Sequence, residues 1–300
     1  HRQENDFYRM GLVLPRADMV HWVIRCSEEW LTPIYDRIHQ ALLSCGVLHM
    51  DETTIQCNKE AGRKASSESY FWVMQSAACE TIRATFFHYS KSRARIVAKE
   101  LLQGFSGYLI TDAYQGYENI EHVTQSLCWA HLRRYFIESI PLDNHGKELE
   151  GSKGAEGREF INLLFQMEEK LKDLSNEERK EQRQNGVTAL LDAFWSWVEK
   201  TSQIPTTNQN LTKALHYAKN HKEGFQTFLE DGRLVISNNL VESHIRPVAV
   251  GRNAWLFADT PKGATANAVL YTIVESAKAN DLDVYEYLNY LLTELPELGY

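Results

Sequence analysis

Two short runs of buried-strand type each end in an aspartate, and their order along the chain constrains the fold more than any other feature. Val47, Leu48, His49 and Met50 lead into Asp51 and Glu52, and Thr53, Thr54 and Ile55 extend the run with β-formers. Farther on, Gly107-Tyr108-Leu109-Ile110-Thr111 leads into Asp112. Between them, Tyr70 to Gln75 and Arg83 to Tyr89 read as two more strands, joined by short loops into an antiparallel meander. Residues 58–69, with Lys59, Arg63 and Lys64, read as a solvated basic hairpin loop. Ser92 to Phe105 follows as an amphipathic helix, with Ile96, Val97, Leu101 and Leu102 on one side and Arg93, Arg95, Lys99 and Glu100 on the other. His122 to Leu127 offers a fifth strand. Three strands, a helix and a strand, with aspartates on strands one and four, is the order of a ribonuclease-H-like core, in which those two strands are neighbours. The expected class is therefore α/β: a ribonuclease-H-like mixed five-stranded sheet with flanking helices and an all-helical insertion before the last catalytic helix.

A carboxylate at the end of a buried strand needs a partner, and a metal ion is one. A third carboxylate comes from the stretch Ile236 to Phe257. Asn238 and Asn239 suit a helix start, because their short amides can hold free backbone N–H groups, and Pro247 predicts the end of that helix after about two turns. Glu242 and Arg246, four residues apart, share one helical face. By itself this spacing describes an ordinary surface ion pair; the two upstream aspartates give Glu242 a second use. Gly251-Arg252 is expected to turn the chain, and Trp255, Leu256 and Phe257 to enter a core. Three carboxylates from separate elements can hold two hard divalent ions, Mg²⁺ or Mn²⁺, about 4 Å apart, an arrangement that serves in-line attack on a phosphodiester.

The domain organisation follows the same landmarks. Residues 1–45 form an N-terminal helical segment, 46–140 the first part of the core, 141–232 the helical insertion, and 233–300 the completion of the core with C-terminal helices. In the first segment Pro15-Arg16-Ala17-Asp18 can start a helix, and Val20, Trp22, Val23 and Ile24, then Trp30 to Leu43, recur at helical spacing. A helix-turn-helix is one reading of this piece, but its few basic residues favour plain packing. After the fifth strand, Cys128-Trp129-Ala130-His131 begins a helix that exposes Arg133 and Arg134, a pair suited to phosphate contact. A lone Cys-x-x-His pair is compatible with a zinc site, and equally with a buried cysteine beside a hydrogen-bonded histidine. In the insertion Leu163, Leu164, Met167, Leu171 and Leu174 mark one apolar helix face, with further faces around Trp195 and Leu215. Thr265 to Ala279 and Val284 to Leu292 are expected as closing helices.

Composition narrows the class of function. Three hundred residues with 43% hydrophobic content support a substantial core. No apolar run of about eighteen residues and no export signal appear, so the chain reads as soluble and non-secreted. Its five scattered cysteines, never in a Cys-x-x-Cys pair, fit a reducing cytoplasm and argue against both a disulfide framework and a four-cysteine zinc site. The net charge of −8 argues against a surface that grips nucleic acid everywhere. That charge is concentrated: Leu142 to Lys200 holds thirteen Asp/Glu against nine Lys/Arg, and Glu275 to the end six against one, which leaves the candidate catalytic region near neutral. The chain opens at His1 without a start methionine, as expected of a piece of a longer protein.

The motifs HMDET, LITDAYQGY, CWAHLRRYF, NNLVESHIRP, GRNAWLF and ESAKANDLDVYEYL, in this order, resemble those of DDE transposases of bacterial insertion sequences, specifically the insertion sequence 66 family. The resemblance implies that Asp51, Asp112 and Glu242 are the catalytic, metal-binding triad for two Mg²⁺ or Mn²⁺ ions. It implies cleavage at transposon ends and transfer of the freed 3′-hydroxyls into target DNA. Arg133, Arg134, Arg246 and Arg252 would bind DNA, and Cys128 and His131 would serve a structural or DNA-related role. The partners implied are transposon ends and target DNA, with a homodimer on DNA and no membrane, in a cytoplasmic, nucleoid-associated setting. A nuclease of the same fold, or an inactive DNA-binding remnant, are the alternative readings. The chain departs from the family pattern at Ser237, where the family has aspartate before the two asparagines, and at Asn253-Ala254, where a lysine and an asparagine are usual. A serine can still cap the helix; loss of the lysine would weaken phosphate contact.

Overall fold

A computed structural model of the chain describes residues 2–149 and 151–298, apart from the side chains of 252–255. The strands are β1 (Val47–Gln56), β2 (Glu68–Ser76), β3 (Thr85–Ser90), β4 (Gly107–Thr111) and β5 (Val123–Leu127). The helices are α1 (Arg2–Arg9), α2 (Arg16–Cys26), α3 (Thr32–Leu43), α4 (Arg95–Leu101), α5 (Trp129–Glu138), α6 (Lys153–Leu171), α7 (Asn176–Gln182), α8 (Thr188–Ser202), α9 (Gln209–Asn220), α10 (Lys222–Gln226), α11 (Asn239–Trp255), α12 (Pro261–Ala279) and α13 (Val284–Glu294). The strands make one mixed sheet in the order β3-β2-β1-β4-β5, with β1, β2 and β3 antiparallel and β4 parallel to β5. This is the ribonuclease-H-like arrangement expected from the order of the runs. The chain divides into two compact units, His1–Ser106 with Val241–Tyr300, and Gly107–Leu240.

In the first unit the outer strand β3 would expose a row of unpaired backbone groups. Helix α12 answers them with hydroxyls. The Thr272 Oγ1 accepts the Phe87 N–H at 2.9 Å, and the Ser276 Oγ accepts the Thr85 N–H at 3.1 Å while donating to the Thr85 carbonyl at 3.0 Å. From α3, Tyr35 packs its ring, tilted, 4.4 Å from that of Phe86 and donates its hydroxyl to the Phe87 carbonyl at 3.0 Å. The helices predicted for the N-terminal segment are present as α2 and α3, joined by a π-helical turn at Ser27–Leu31. Val20, Trp22 and Val23 are nevertheless exposed rather than buried.

The loop between β1 and β2 is less solvated than its basic residues suggest. Glu60 is buried and accepts from Ser69 Oγ at 2.5 Å, from Arg63 Nη1 at 2.6 Å and from the Tyr89 hydroxyl. Burial alone would raise this carboxyl, but the three donors outweigh it and hold Glu60 below the usual range. Arg63 also donates to the Glu68 and Lys91 carbonyls, each at 2.7 Å, so the loop is folded around an ion pair.

Pro247 does not end its helix: α11 runs through it to Trp255, and Gly251 lies within the helix rather than in a turn. An internal proline deletes one backbone hydrogen bond and crowds the preceding turn. Here buried residues on both sides of it, Val241 and Val248, hold the two halves on the sheet, and this packing outweighs the local penalty. The helix stops instead at Leu256, which adopts a left-handed φ of 61°. Leu256 and Phe257 are exposed rather than drawn into the core, and it is Ala258, bridged to Cys57, that is buried. The predicted core role of Trp255 lies outside the described residues.

The second unit is a helical block on β4 and β5. Its centre is Trp129, with the rings of Phe225, Phe194 and Trp195 at 5.1, 5.5 and 5.9 Å and its indole N–H donated to the Phe225 carbonyl at 3.0 Å. On α6 the buried stripe is Gly154, Gly157, Ile161 and Leu164, while Leu163, expected inside, is exposed. Arg183 is fully buried: it pairs with both oxygens of Glu168 and donates to the Phe228, Asp231 and Leu234 carbonyls, closing the return of the chain. Among the described residues, no helix is long and apolar enough to cross a membrane.

Candidate active site

The register of the first three strands decides which way the carboxylates of β1 point. Asp51 is paired with Val73, and Val73 with Phe87; Thr53 is paired with Phe71, and Phe71 with Tyr89. Directly opposed residues of antiparallel strands lie on one face, so Asp51 shares its face with Val73, Phe71 and Phe87. Those three residues and Ile55 form a buried cluster with Val241 and Val248 of α11 and Ala264 and Ala268 of α12, and Ile245 packs against it. Helix α11 therefore lies on the face that carries Asp51, with Glu242 in its first turn, beside the buried Val241. Asp51 and Glu242 are both half-buried. The Asp51 Oδ1 accepts the N–H of Glu52 at 2.8 Å.

Glu52 belongs to the opposite face, paired with Trp72, and its buried carboxylate is held by Arg93. The sheet thus separates two adjacent acids, one engaged in an ion pair and one on the side of α11.

The exit of α11 is tied back to β1. The Ala258 N–H donates to the Gln56 carbonyl at 2.9 Å, the Asn58 N–H to the Ala258 carbonyl at 3.0 Å, and the Lys59 N–H to the Asp259 carbonyl at 3.0 Å. Lys59 Nζ adds an exposed contact with Asp259 at 2.6 Å. Near the start of the helix, His244 Nδ1 lies 3.3 Å from Oε2 of Glu275, a buried carboxylate on α12. Burial pushes the Glu275 carboxyl up, but hydrogen bonds from His244 and Lys278 outweigh it and keep it below the ordinary range. Arg246 is exposed on α11. The side chain of Arg252 lies outside the described residues.

In the second unit Asp112 follows β4 directly, half-buried, at the strand end where open α/β sheets place their ligands. Its Oδ1 accepts the Tyr114 N–H at 3.0 Å, closing a tight turn, and Gln125 Nε2 holds the strand end by donating to the Asp112 carbonyl at 3.1 Å and to Thr111 Oγ1 at 2.7 Å. The Tyr217 hydroxyl of α9 accepts the Ala113 N–H at 3.3 Å. Burial raises the pKa of that phenol, with the charge of Asp112 adding to the effect. Nothing in the sequence marks Tyr217 for this contact, which depends on a partner about a hundred residues away.

Cys128 is buried at the start of α5, where its Sγ accepts the N–H of Asn238, the residue before α11, at 3.1 Å. The neighbouring Trp129 N–H donates to the Ile236 carbonyl at 2.8 Å. The cysteine is thus built into the anchor of the segment that leads to Glu242. His131 is half-buried one turn on. Arg133, expected to be exposed, is half-buried and donates to Asn162 Oδ1 at 2.7 Å, whereas Arg134 is exposed. Asp51 and Glu242 therefore belong to the first unit, and Asp112, Cys128, His131, Arg133 and Arg134 to the second.

Comparison with known proteins matches residues 1–266 to the family described as Transposase IS66 family and residues 272–298 to the IS66 C-terminal element. Two relatives from Sinorhizobium fredii (strain NBRC 101917 / NGR234), the uncharacterized proteins y4hP and y4jD, are each 27% identical to the chain. These alignments cover 89% and 96% of this chain and 51% and 57% of the respective relatives, so the chain spans about half the length of the curated relatives it matches. Among solved structures, the Drosophila P element transposase strand transfer complex aligns over 96% of this chain and 77% of that one, at 14% identity and a TM-score of 0.29. With the family match running over nearly the whole of its length, the chain belongs to the IS66 family of transposases.

Proposed function

We propose that this chain is the catalytic part of a DNA transposase, in which Asp51, Asp112 and Glu242 together hold two divalent ions, Mg²⁺ or Mn²⁺. The observation that carries the reading is the sheet face shared by Asp51 and α11, because it gives Glu242 a route to an aspartate almost two hundred residues away in sequence. The donor set fits the ions: hard divalent cations prefer carboxylate oxygens, and both acids of the first unit are half-buried, as a site that limits water requires. Bound there, the ions supply activation of a water or a 3′-hydroxyl and stabilisation of the departing oxygen at a phosphodiester.

The protein's own part is positioning. The turn that Asp112 makes with Tyr114 fixes the end of β4, and the anchors at Asn238 and Ala258 fix the two ends of the α11 segment. Arg134 and Arg246, both exposed, are assigned to DNA phosphates, with Arg252 following Gly251 on the same helix. Arg133, whose Nε is held by Asn162, would join them through its terminal Nη donors. Cys128 is assigned a structural role and His131 a structural or DNA-related one. Joining two DNA ends in one event calls for a homodimer on DNA, acting at the nucleoid in the cytoplasm.

The test is incubation of the chain with duplex DNA carrying the element's ends, a 3′-end label and a plasmid target, in Mg²⁺ or Mn²⁺. Label transferred into the plasmid supports a transposase. Cleavage without transfer makes the chain a nuclease, and DNA binding with neither makes it an inactive remnant.

A further inference from the structure

Helix α11 sits on the sheet by a stripe of Val241, Ile245 and Val248. At about 100° of rotation per residue, Glu242 and His244 leave the helix on opposite flanks of that stripe. The His244 flank is tied down: Nδ1 lies 3.3 Å from Oε2 of Glu275, whose side chain is 5% exposed and whose other oxygen accepts from Lys278 Nζ at 2.7 Å. Glu275 stands on α12, which the Thr272 and Ser276 hydroxyls fasten to β3. A tie on one flank fixes the rotation of the helix about its axis, and so fixes where the other flank points. The proline increases the value of that tie. Pro247 has no N–H to return to the carbonyl four residues before it, so the turns carrying Glu242 are joined to the rest of α11 by fewer internal bonds and rely more on tertiary contacts.

We propose that His244 and Glu275 are positioning residues for Glu242: the ring N–H donated to the buried carboxylate sets the roll of the first turns of α11 and so aims the Glu242 carboxylate at the metal site. This deepens the reading of Glu242 as a metal ligand and rests on it. Neither residue touches the metal or the DNA; both act through the helix.

Mn²⁺ binding, measured by calorimetry on the chain, and thermal unfolding are compared for the wild type, Glu242→Gln, His244→Ala, His244→Phe and His244→Asn. Phenylalanine keeps the ring and loses the donor; the asparagine amide nitrogen falls near the position of Nδ1 and restores it. The expected result is Mn²⁺ binding about tenfold weaker in His244→Ala and His244→Phe, restored to within about threefold of wild type in His244→Asn, as for residues that orient a metal ligand from outside. The Phe variant leaves the buried Glu275 carboxylate without that donor and should unfold at a lower temperature than the Asn variant, so binding is measured well below both transitions, where a merely structural histidine would leave the Mn²⁺ affinity of the folded chain unchanged. Lost binding in Glu242→Gln with wild-type binding in His244→Phe overturns this inference alone. Wild-type binding in Glu242→Gln overturns the metal role of Glu242, and this inference with it.

Discussion

Asp51 and Glu52 are adjacent in β1 and point to opposite faces of the sheet, Glu52 to Arg93 and Asp51 to the side on which α11 packs. The two acids should therefore respond differently to loss of charge. Asp51→Asn is expected to abolish DNA cleavage, by about a hundredfold or more, with little change in the unfolding temperature. Glu52→Gln weakens a charge-assisted contact, which costs about 2 kcal/mol of stability while metal-dependent cleavage persists. Cleavage assays and denaturant unfolding on both variants check the pair.

Arg183 is the side chain on which the return of the helical block to the sheet depends, since one buried guanidinium serves Glu168 and three carbonyls. Arg183→Ala leaves a largely buried carboxylate and three carbonyls without their donor. The expected cost is about 3–5 kcal/mol, read by urea unfolding. A loss under about 1 kcal/mol would show that water replaces the arginine at little cost.

Helices α5 and α6 approach closely at Gly157, where an added Cβ would stand 2.5 Å from the Phe136 ring. Gly157→Ala should destabilise the chain by about 1–3 kcal/mol despite alanine's better helix propensity. The double variant Gly157→Ala with Phe136→Leu should recover part of the loss in the same unfolding assay.

His88 carries a pH dependence. Burial, with His39 nearby, pushes its pKa down to about 4, while an unfolded chain takes up that proton near about 6.5. The unfolded state binds the extra proton between these values, so this contribution is complete above about pH 6.5 and falls away as the pH drops toward 4, by up to about 3 kcal/mol. Glu60 and Glu275, held below the ordinary carboxylate range, lose their contributions at lower pH, whereas His39 and His221, also pushed down by burial, share this window with His88. His88→Phe should reduce the slope of the stability profile between about pH 6.5 and 4.5, measured by urea unfolding at fixed ionic strength.

The strands were legible because they are short runs of apolar and β-forming residues bounded by turn signals; β4, from Gly107 to Thr111, matches its predicted bounds in full. The two candidate aspartates were legible for a related reason, since a carboxylate that closes a short apolar run stands out against its neighbours. Pro247 misled because local propensity is a weak term once Val241 and Val248 are buried on either side of it. Leu256 gave no signal at all: a left-handed leucine is unfavourable on its own and is tolerated only where the next residues pair with β1. Glu60, Tyr217 and the His244 tie to Glu275 were hidden because each depends on a partner brought near only by the fold.

The claim on which the account turns is that Asp51, Asp112 and Glu242 share their metal ions. The most direct measurement is an anomalous difference map from crystals of the chain soaked in Mn²⁺. The account predicts density for Mn²⁺ within about 2.5 Å of oxygens from all three side chains, lost in Asp51→Asn. Mn²⁺ held elsewhere, or a Glu242 carboxylate turned away from both aspartates in the soaked crystal, would contradict it.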